Sequence, residues 1–565
     1  MRHEKIFLAV IILIAAIFYF WGLGRNDIVT DEASYMARGI GMLDFNFGIE
    51  QSTPIQWVKE VPWWMGFSFH DHPPLVFLFE NISFKIFGEN VFAGRIPPVL
   101  AGLIALLFVY LIASSLYSLE VGLVSAALFA FTVNHVWISR IALQESILIS
   151  LMLAASYVFL KALQNKKLLI VAGALLGLAV LAKYNALILV PIFFTVLAFR
   201  RRDYFLTKEF LFAVAAFLIV ASPVIVYNIG LYKTFGHFDF QISYIVGQHV
   251  EAWKFMPGKE AIGSLADRLQ DYIPALVKTN SPMFLAFAVL GVILAAWQAL
   301  RKNERKLEHI TLFAFLLWFA ALMLVVGPTY RFLAMLTPWF ALFAGIFVSF
   351  IGRRFLYFSP AAAMLLFGVL LLGEASYAYN SVTAVTPLGK APWTYAAIRS
   401  ENSNWGYNQL EVFISSELAG KRPELAISFD YSAIAKVLDE AVLEDAKAGL
   451  EPAPWAIVYN GNMSMSAQLW TFLRRVVYHG WPIADAATYR KVLAENDSDY
   501  FKKLGVEKIY FINNTDKVLL REVRTRPLTA DGDIIEGQLQ ARGIAPREIK
   551  NIHGETAFRV YEFAP

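Results

Sequence analysis

Long apolar runs alternate with short polar segments up to about residue 374, and beyond that point the alternation stops. A helix needs about 20 mainly apolar residues to cross roughly 30 Å of hydrocarbon. The runs 6–23, 91–117, 120–138, 146–163, 168–182, 184–199, 209–230, 281–300, 308–326, 333–350 and 356–374 predict eleven transmembrane helices. The first run has a long apolar core with no small-residue cleavage site after it, so it is expected to be a retained helix rather than a signal peptide. The stretch 72–87 is apolar but short and is expected near the membrane surface. After residue 374 the pattern changes: 425–429, 455–459, 508–512 and 558–563 are strand-like, while 431–443, 465–478, 489–493 and 500–504 are helix-like. Alternation of that kind predicts an α/β layer domain. The expected architecture is therefore an α-helical polytopic membrane domain over residues 1–374, followed by a soluble α/β domain over 375–565.

Composition agrees with the pattern. Hydrophobic residues make up 58% of the 565 and charged residues 17%, too apolar a balance for a soluble chain of this length. There is no cysteine, which excludes disulfides, thiolate metal sites and cysteine nucleophiles. The net charge of +4 is spread without any block of the kind that binds nucleic acid.

Where the basic residues fall sets an orientation. Arg2 and Lys5, then Lys166 and Lys167, Arg200, Arg201 and Arg202, then Arg301, Lys302, Arg305 and Lys306, and finally Arg353 and Arg354 can share one side, expected to be the cytoplasm. Loops 24–90 and 231–280 and the C-terminal domain are then expected outside. Arg140, Lys183 and Arg331 depart from that bias, because each is expected at the outer end of a helix. Three cations at that boundary suit an anion such as a lipid phosphate; they also suit snorkelling toward ordinary headgroups of the surrounding membrane lipids.

The first outer loop opens with Thr30-Asp31-Glu32-Ala33-Ser34-Tyr35. A short helix is expected over 33–43, with Thr30 or Asp31 as its cap, and acids there favour the helix dipole. The same carboxylates suit a second role. Transfer of a group from a lipid phosphate to a hydroxyl would require a base for the departing proton, and the phosphate that leaves would require a cation or a metal. Further on, His70, Asp71 and His72 bring three candidate metal ligands together, with His237, Asp239, His249 and Glu251 as further candidates from 231–280.

Taken in order, these segments resemble the GT-C class of membrane glycosyltransferases. The resemblance is to the branch of the protein O-mannosyltransferases and lipid A aminoarabinose transferases. It rests on Thr30-Asp31-Glu32, Asp71-His72-Pro73-Pro74-Leu75, Phe84-Lys85-Ile86-Phe87-Gly88, Ala93-Gly94-Arg95-Ile96-Pro97, Ser139-Arg140 with Glu145, Leu181-Ala182-Lys183-Tyr184, and Pro328-Thr329-Tyr330-Arg331 with Pro338. It implies that Asp31 is the main base, with Glu32 its neighbour. It implies that Arg140, Lys183, Tyr330 and Arg331 hold the donor phosphate, supported by Glu145. It implies a divalent metal at Asp71, with His72 and His249 as further ligands. The implied donor is a polyprenyl-phosphate sugar, the acceptor a protein, lipid or glycan hydroxyl, the outcome inversion at the anomeric carbon, and the setting a prokaryotic cell membrane. Glu145 stands where the family pattern has Asp, and loop 231–280 is too short for the β-trefoil module of the eukaryotic enzymes.

Two other readings share the architecture. An oligosaccharyltransferase would use a diphosphate carrier, but its Trp-Trp-Asp-Tyr-Gly motif is missing; Asn404-Trp405-Gly406-Tyr407 is a faint echo. A transporter of lipid-linked sugars should place charges or broken helices near mid-bilayer, whereas the charges here gather at the boundary.

Overall fold

The computed structural model describes residues 2–29, 31–45, 52–253, 263–301, 305–389, 391–398, 404–425, 427, 429–519 and 528–565. The chain forms two units that interleave in sequence: 1–23 with 63–401, and 24–62 with 402–565.

In the first unit five described helices have the length and apolarity of a bilayer span: Val91–Leu116, Gln144–Ala162, Pro282–Leu300, Lys306–Val326 and Ala361–Thr383. Lys208–Val220 and Ser222–Phe235 add a sixth if they are taken as one span bent by 61°. The bend has a local cause. Pro223 lies in the first turn of the second helix, a position proline favours, and has no N–H to continue the ladder of the first. Four further apolar helices are shorter than a full span. The eleven uniform spans expected from hydropathy thus become a mixture of long, bent and short helices. The run 120–138 breaks at Thr132, whose extended backbone (φ −70°, ψ 135°) separates Leu119–Phe131 from Val133–Ile138. The run 184–199 opens with a tighter helical turn, Tyr184–Ile188, before Leu189–Arg200.

Small residues let these helices approach closely, the usual device where no water drives association. Gly173 and Gly177, one turn apart on Leu168–Ala182, face Lys208–Val220. A Cβ on Gly173 would lie 2.2 Å from the Ala213 carbonyl oxygen, and one on Gly177 would lie 2.8 Å from Val220 Cβ. A Cβ on Gly291 would meet the Phe343 carbonyl oxygen at 1.9 Å.

Four of the basic residues expected on one side make contacts between helix ends. Lys166 pairs with Glu209, and Arg201 donates to the Leu163 carbonyl. Arg200 pairs with Glu308, and Arg353 with Glu120.

The second unit is built on a sheet. β1 (Lys421–Pro423) and β2 (Glu451–Ala453) form a small parallel pair. β3 (Trp455–Tyr459), β4 (Ile483–Asp485), β5 (Lys508–Asn514), β6 (Arg547–Lys550) and β7 (Thr556–Phe563) form a five-stranded sheet in the order β4-β3-β5-β7-β6. β3, β4 and β5 are parallel, while β7 runs antiparallel to both β5 and β6. Alternate side chains of the central strands enter opposite cores. Tyr510 and Ile512 join Leu410, Ile414, Phe472 and Phe558 on one face. Ile509 and Phe511 join Tyr489, Ile535 and Leu539 on the other. Burial on both faces explains why β5 is an almost continuous apolar run.

The segment 24–62 belongs to this unit through specific bonds. The Asp27 carboxylate accepts from the backbone N–H groups of Trp405, Gly406 and Asn408 at 2.7, 3.2 and 2.9 Å, where helix Tyr407–Glu417 begins. Asn408 Nδ2 donates back to the carbonyls of Gly24 and Asn26. Burial pushes the Asp27 carboxyl up to about 6, against the lowering effect of those N–H donors. Beneath the same helix, Glu411 accepts from Arg474 at 2.5 Å and from Arg475 at 2.6 and 2.8 Å. Burial alone would raise Glu411, but the two guanidinium groups hold it below the usual carboxylate range.

Candidate functional site

Lys183 stands where Leu168–Ala182 stops. Its backbone is extended (φ −165°, ψ 140°), so the side chain leaves the helix at its carbonyl end, where a cation is favoured by the dipole. The ammonium reaches the carboxylate of Glu145, in the first turn of Gln144–Ala162, at 2.6 Å. Arg331, in the short helix Tyr330–Leu333, lies 3.9 Å from the same carboxylate oxygen. Glu145 is fully buried, whereas the Arg331 side chain retains 26% of its exposure. Both cations also lie 5.0 Å from the centre of the Phe332 ring. Two cations thus share one buried carboxylate and one aromatic face. Two cationic side chains brought together beside an aromatic face suit an anionic ligand such as a phosphate ester.

The other expected residues fall in different places. Arg140 donates to the carbonyls of Phe18 (3.0 Å) and Tyr19, at the end of helix Arg2–Phe20. It thereby satisfies carbonyls that a helix end leaves open. Tyr330 packs edge-on against Trp137 with ring centres 5.2 Å apart, and its carbonyl accepts from Asn134 Nδ2 at 3.0 Å.

Asp71 has imidazoles on both sides, with His72 Nδ1 at 3.1 Å and His70 Nδ1 at 3.7 Å. One carboxylate with two imidazoles is a donor set that a borderline divalent ion such as zinc accepts. His249 is exposed in the chain following helix Phe240–Ile245. Asp239 has structural work. It caps that helix through Ile242 N–H at 2.9 Å, and accepts from the Tyr184 hydroxyl and from Asn228 Nδ2 at 3.0 Å. Burial raises its carboxyl above the ordinary range, with those bonds opposing the shift.

In the second unit, Asp31 and Glu32 occupy the first turn of helix Asp31–Gly41. The expected helix over 33–43 therefore begins two residues earlier, and the expected cap Thr30 lies outside the described residues. Asp31 is exposed, whereas Glu32 is buried and accepts from the Val29 N–H at 3.2 Å. Ala33 and Met36 are fully buried, as expected of the apolar face.

Residues 71–227 match the dolichyl-phosphate-mannose-protein mannosyltransferase family. The fold is that of the GT-C membrane glycosyltransferases. The matched segment holds Asp71, Arg140, Glu145 and Lys183. Over 116 residues the chain is 32% identical to YycA of Bacillus subtilis (strain 168), whose name places it provisionally among the mannosyltransferases. That match spans 20% of this chain and 17% of the relative's length. Among solved structures, ArnT from Cupriavidus metallidurans bound to undecaprenyl phosphate aligns with a TM-score of 0.53 at 10% identity, covering 98% of this chain and 97% of that one. Its apo form gives 0.51 at 12% identity over the same shares.

Phe332 escaped sequence reading, as did Asn134, Trp137 and Gln144. A signal was available for Asn134 and Gln144. Asn134 interrupts an apolar run, and Gln144 directly precedes the flagged Glu145.

Proposed function

We propose that this protein is an inverting glycosyltransferase that moves a sugar from a polyprenyl-phosphate donor to a hydroxyl of a protein, lipid or glycan on the outer side of a cell membrane. The observation that carries the reading is the Glu145–Lys183–Arg331 cluster, in which two cations converge on one buried carboxylate and one aromatic face. The undecaprenyl phosphate held by a structure of similar fold is in keeping with it.

In the proposed reaction the acceptor oxygen attacks the anomeric carbon as the bond from that carbon to the phosphate oxygen breaks. The acceptor proton goes to Asp31, and the carrier leaves as polyprenyl phosphate. Lys183 and Arg331 stabilise the charge that grows on the departing phosphate. Asp31 is preferred over Glu32 as base because it is exposed, whereas Glu32 is engaged with its own helix start. Glu145 keeps the two cations oriented, and Arg140 is assigned the structural role its carbonyl partners give it. A divalent ion held by Asp71 and His72 would supply further charge neutralisation.

The reading is tested by incubating purified protein with a panel of polyprenyl-phosphate sugars and following candidate acceptors by mass spectrometry. Transfer from at least one monophosphate donor is expected. Turnover only with diphosphate carriers would replace this reading by the oligosaccharyltransferase one.

A further inference from the structure

The stretch 132–145, which ends at the cluster's own Glu145, is rich in buried polar atoms without hydrogen-bond partners. Eight such atoms fall on residues 132–145. Buried polar groups in folded proteins are nearly always paired, so a local concentration of exceptions needs a cause. One of these residues, Glu145, belongs to the cluster, and three more adjoin it. Asn134 and Trp137 reach it through Tyr330, by a 3.0 Å bond and a 5.2 Å ring contact, while Gln144 directly precedes Glu145. All four are at most 1% exposed.

The kinds of atom left open discriminate between ligands. Phosphate oxygens mainly accept, and Lys183 and Arg331 already meet that need. The open set instead mixes donors, Trp137 Nε1–H and Gln144 Nε2–H, with acceptors, Asn134 Oδ1, Gln144 Oε1 and Glu145 Oε2. A ring bearing several hydroxyls, each able to donate and accept, matches such a mixture. Resting on the donor reading above, we infer that Asn134, Trp137 and Gln144 read the sugar of the lipid-linked donor through its hydroxyl groups. The donor sugar is assigned rather than an acceptor sugar because Asn134 and Trp137 contact Tyr330, the neighbour of Arg331, and Gln144 adjoins Glu145, which pairs with both cations.

The test uses full-length protein in detergent, with Gln144→Leu and Trp137→Phe as variants. Binding is measured for sugar-free polyprenyl monophosphate, polyprenyl-phosphate hexose and a methyl hexoside. Both variants should bind the sugar-free carrier like wild type and the hexose-bearing carrier roughly fivefold to tenfold more weakly, the loss of about one buried hydrogen bond. The ligand-free melting temperature of Gln144→Leu should hold or rise, because the amide removed had no partner. Equal weakening toward both carriers, no weakening toward either, or a lowered melting temperature for both variants overturns the inference. Competition by the methyl hexoside against acceptor but not donor overturns the donor assignment. Wild type that binds neither carrier overturns the donor reading itself, and this inference with it.

Discussion

At the scale of single residues, Lys183 and Arg331 were legible as cations out of keeping with the charge bias of the chain. Their common partner Glu145 was flagged by motif. What periodicity and charge could not give was Phe332, since an aromatic residue in an apolar stretch looks like any other until its face is seen under two cations. Arg140 carried the same signal as Lys183, and it donates to the carbonyls of Phe18 and Tyr19, because a charge pattern does not reveal which backbone a side chain will reach. Asp31→Asn is expected to abolish transfer while lowering stability by no more than about 1 kcal/mol, the scale of a first-turn acid at a helix N-terminus; sugar transfer and thermal unfolding measured on one preparation check both halves. Asp27 gives a pH prediction. Its carboxyl is raised to about 6 in the fold, so the folded state binds its proton more tightly than the unfolded chain does. The stabilisation this provides is complete below the ordinary aspartate range and is lost as pH rises through about 6. Relative to Asp27→Asn, wild type should therefore lose on the order of a few kcal/mol of stability between pH 4 and 6, read from melting temperatures of the two proteins across that range.

At the scale of elements, hydropathy located the apolar segments but not their breaks. Thr132, Lys183 and Pro223 interrupt runs that a window averages as continuous. The interruptions matter, for Lys183 can reach Glu145 only because the helix ends there. In the second unit, β3, β5 and β7 were legible because strands buried on both faces are dense in β-branched and aromatic residues. β4 and β6, of 3 and 4 residues, carry too few positions to show a period. Close helix packing yields a further prediction. Gly173→Leu or Gly177→Leu should force Leu168–Ala182 away from Lys208–Val220, lowering stability by about 1–3 kcal/mol through overpacking. A thermal scan in detergent would show it, with Gly236→Ala, where a Cβ meets nothing within 4 Å, serving to separate packing from backbone strain.

At the scale of the whole chain, composition divided the sequence at residue 374, but the folded units divide it at 24, 62 and 402. The bonds from Asp27 to Trp405, Gly406 and Asn408 span more than 370 positions, and no local pattern announces such a partnership. Glu411 is another internal tie. Glu411→Ala would leave Arg474 and Arg475 buried without their anion, and should cost the second unit about 3–5 kcal/mol, visible as earlier proteolysis of 402–565 on heating. The central claim concerns the first unit: that Lys183 and Arg331, oriented by Glu145, hold a lipid phosphate. Titration of purified protein with sugar-free polyprenyl monophosphate tests it most directly. Saturable binding is predicted, weakened about tenfold or more by Arg331→Ala and by Lys183→Ala, as the loss of a charge-assisted hydrogen bond requires. Affinity unchanged in both variants would contradict it.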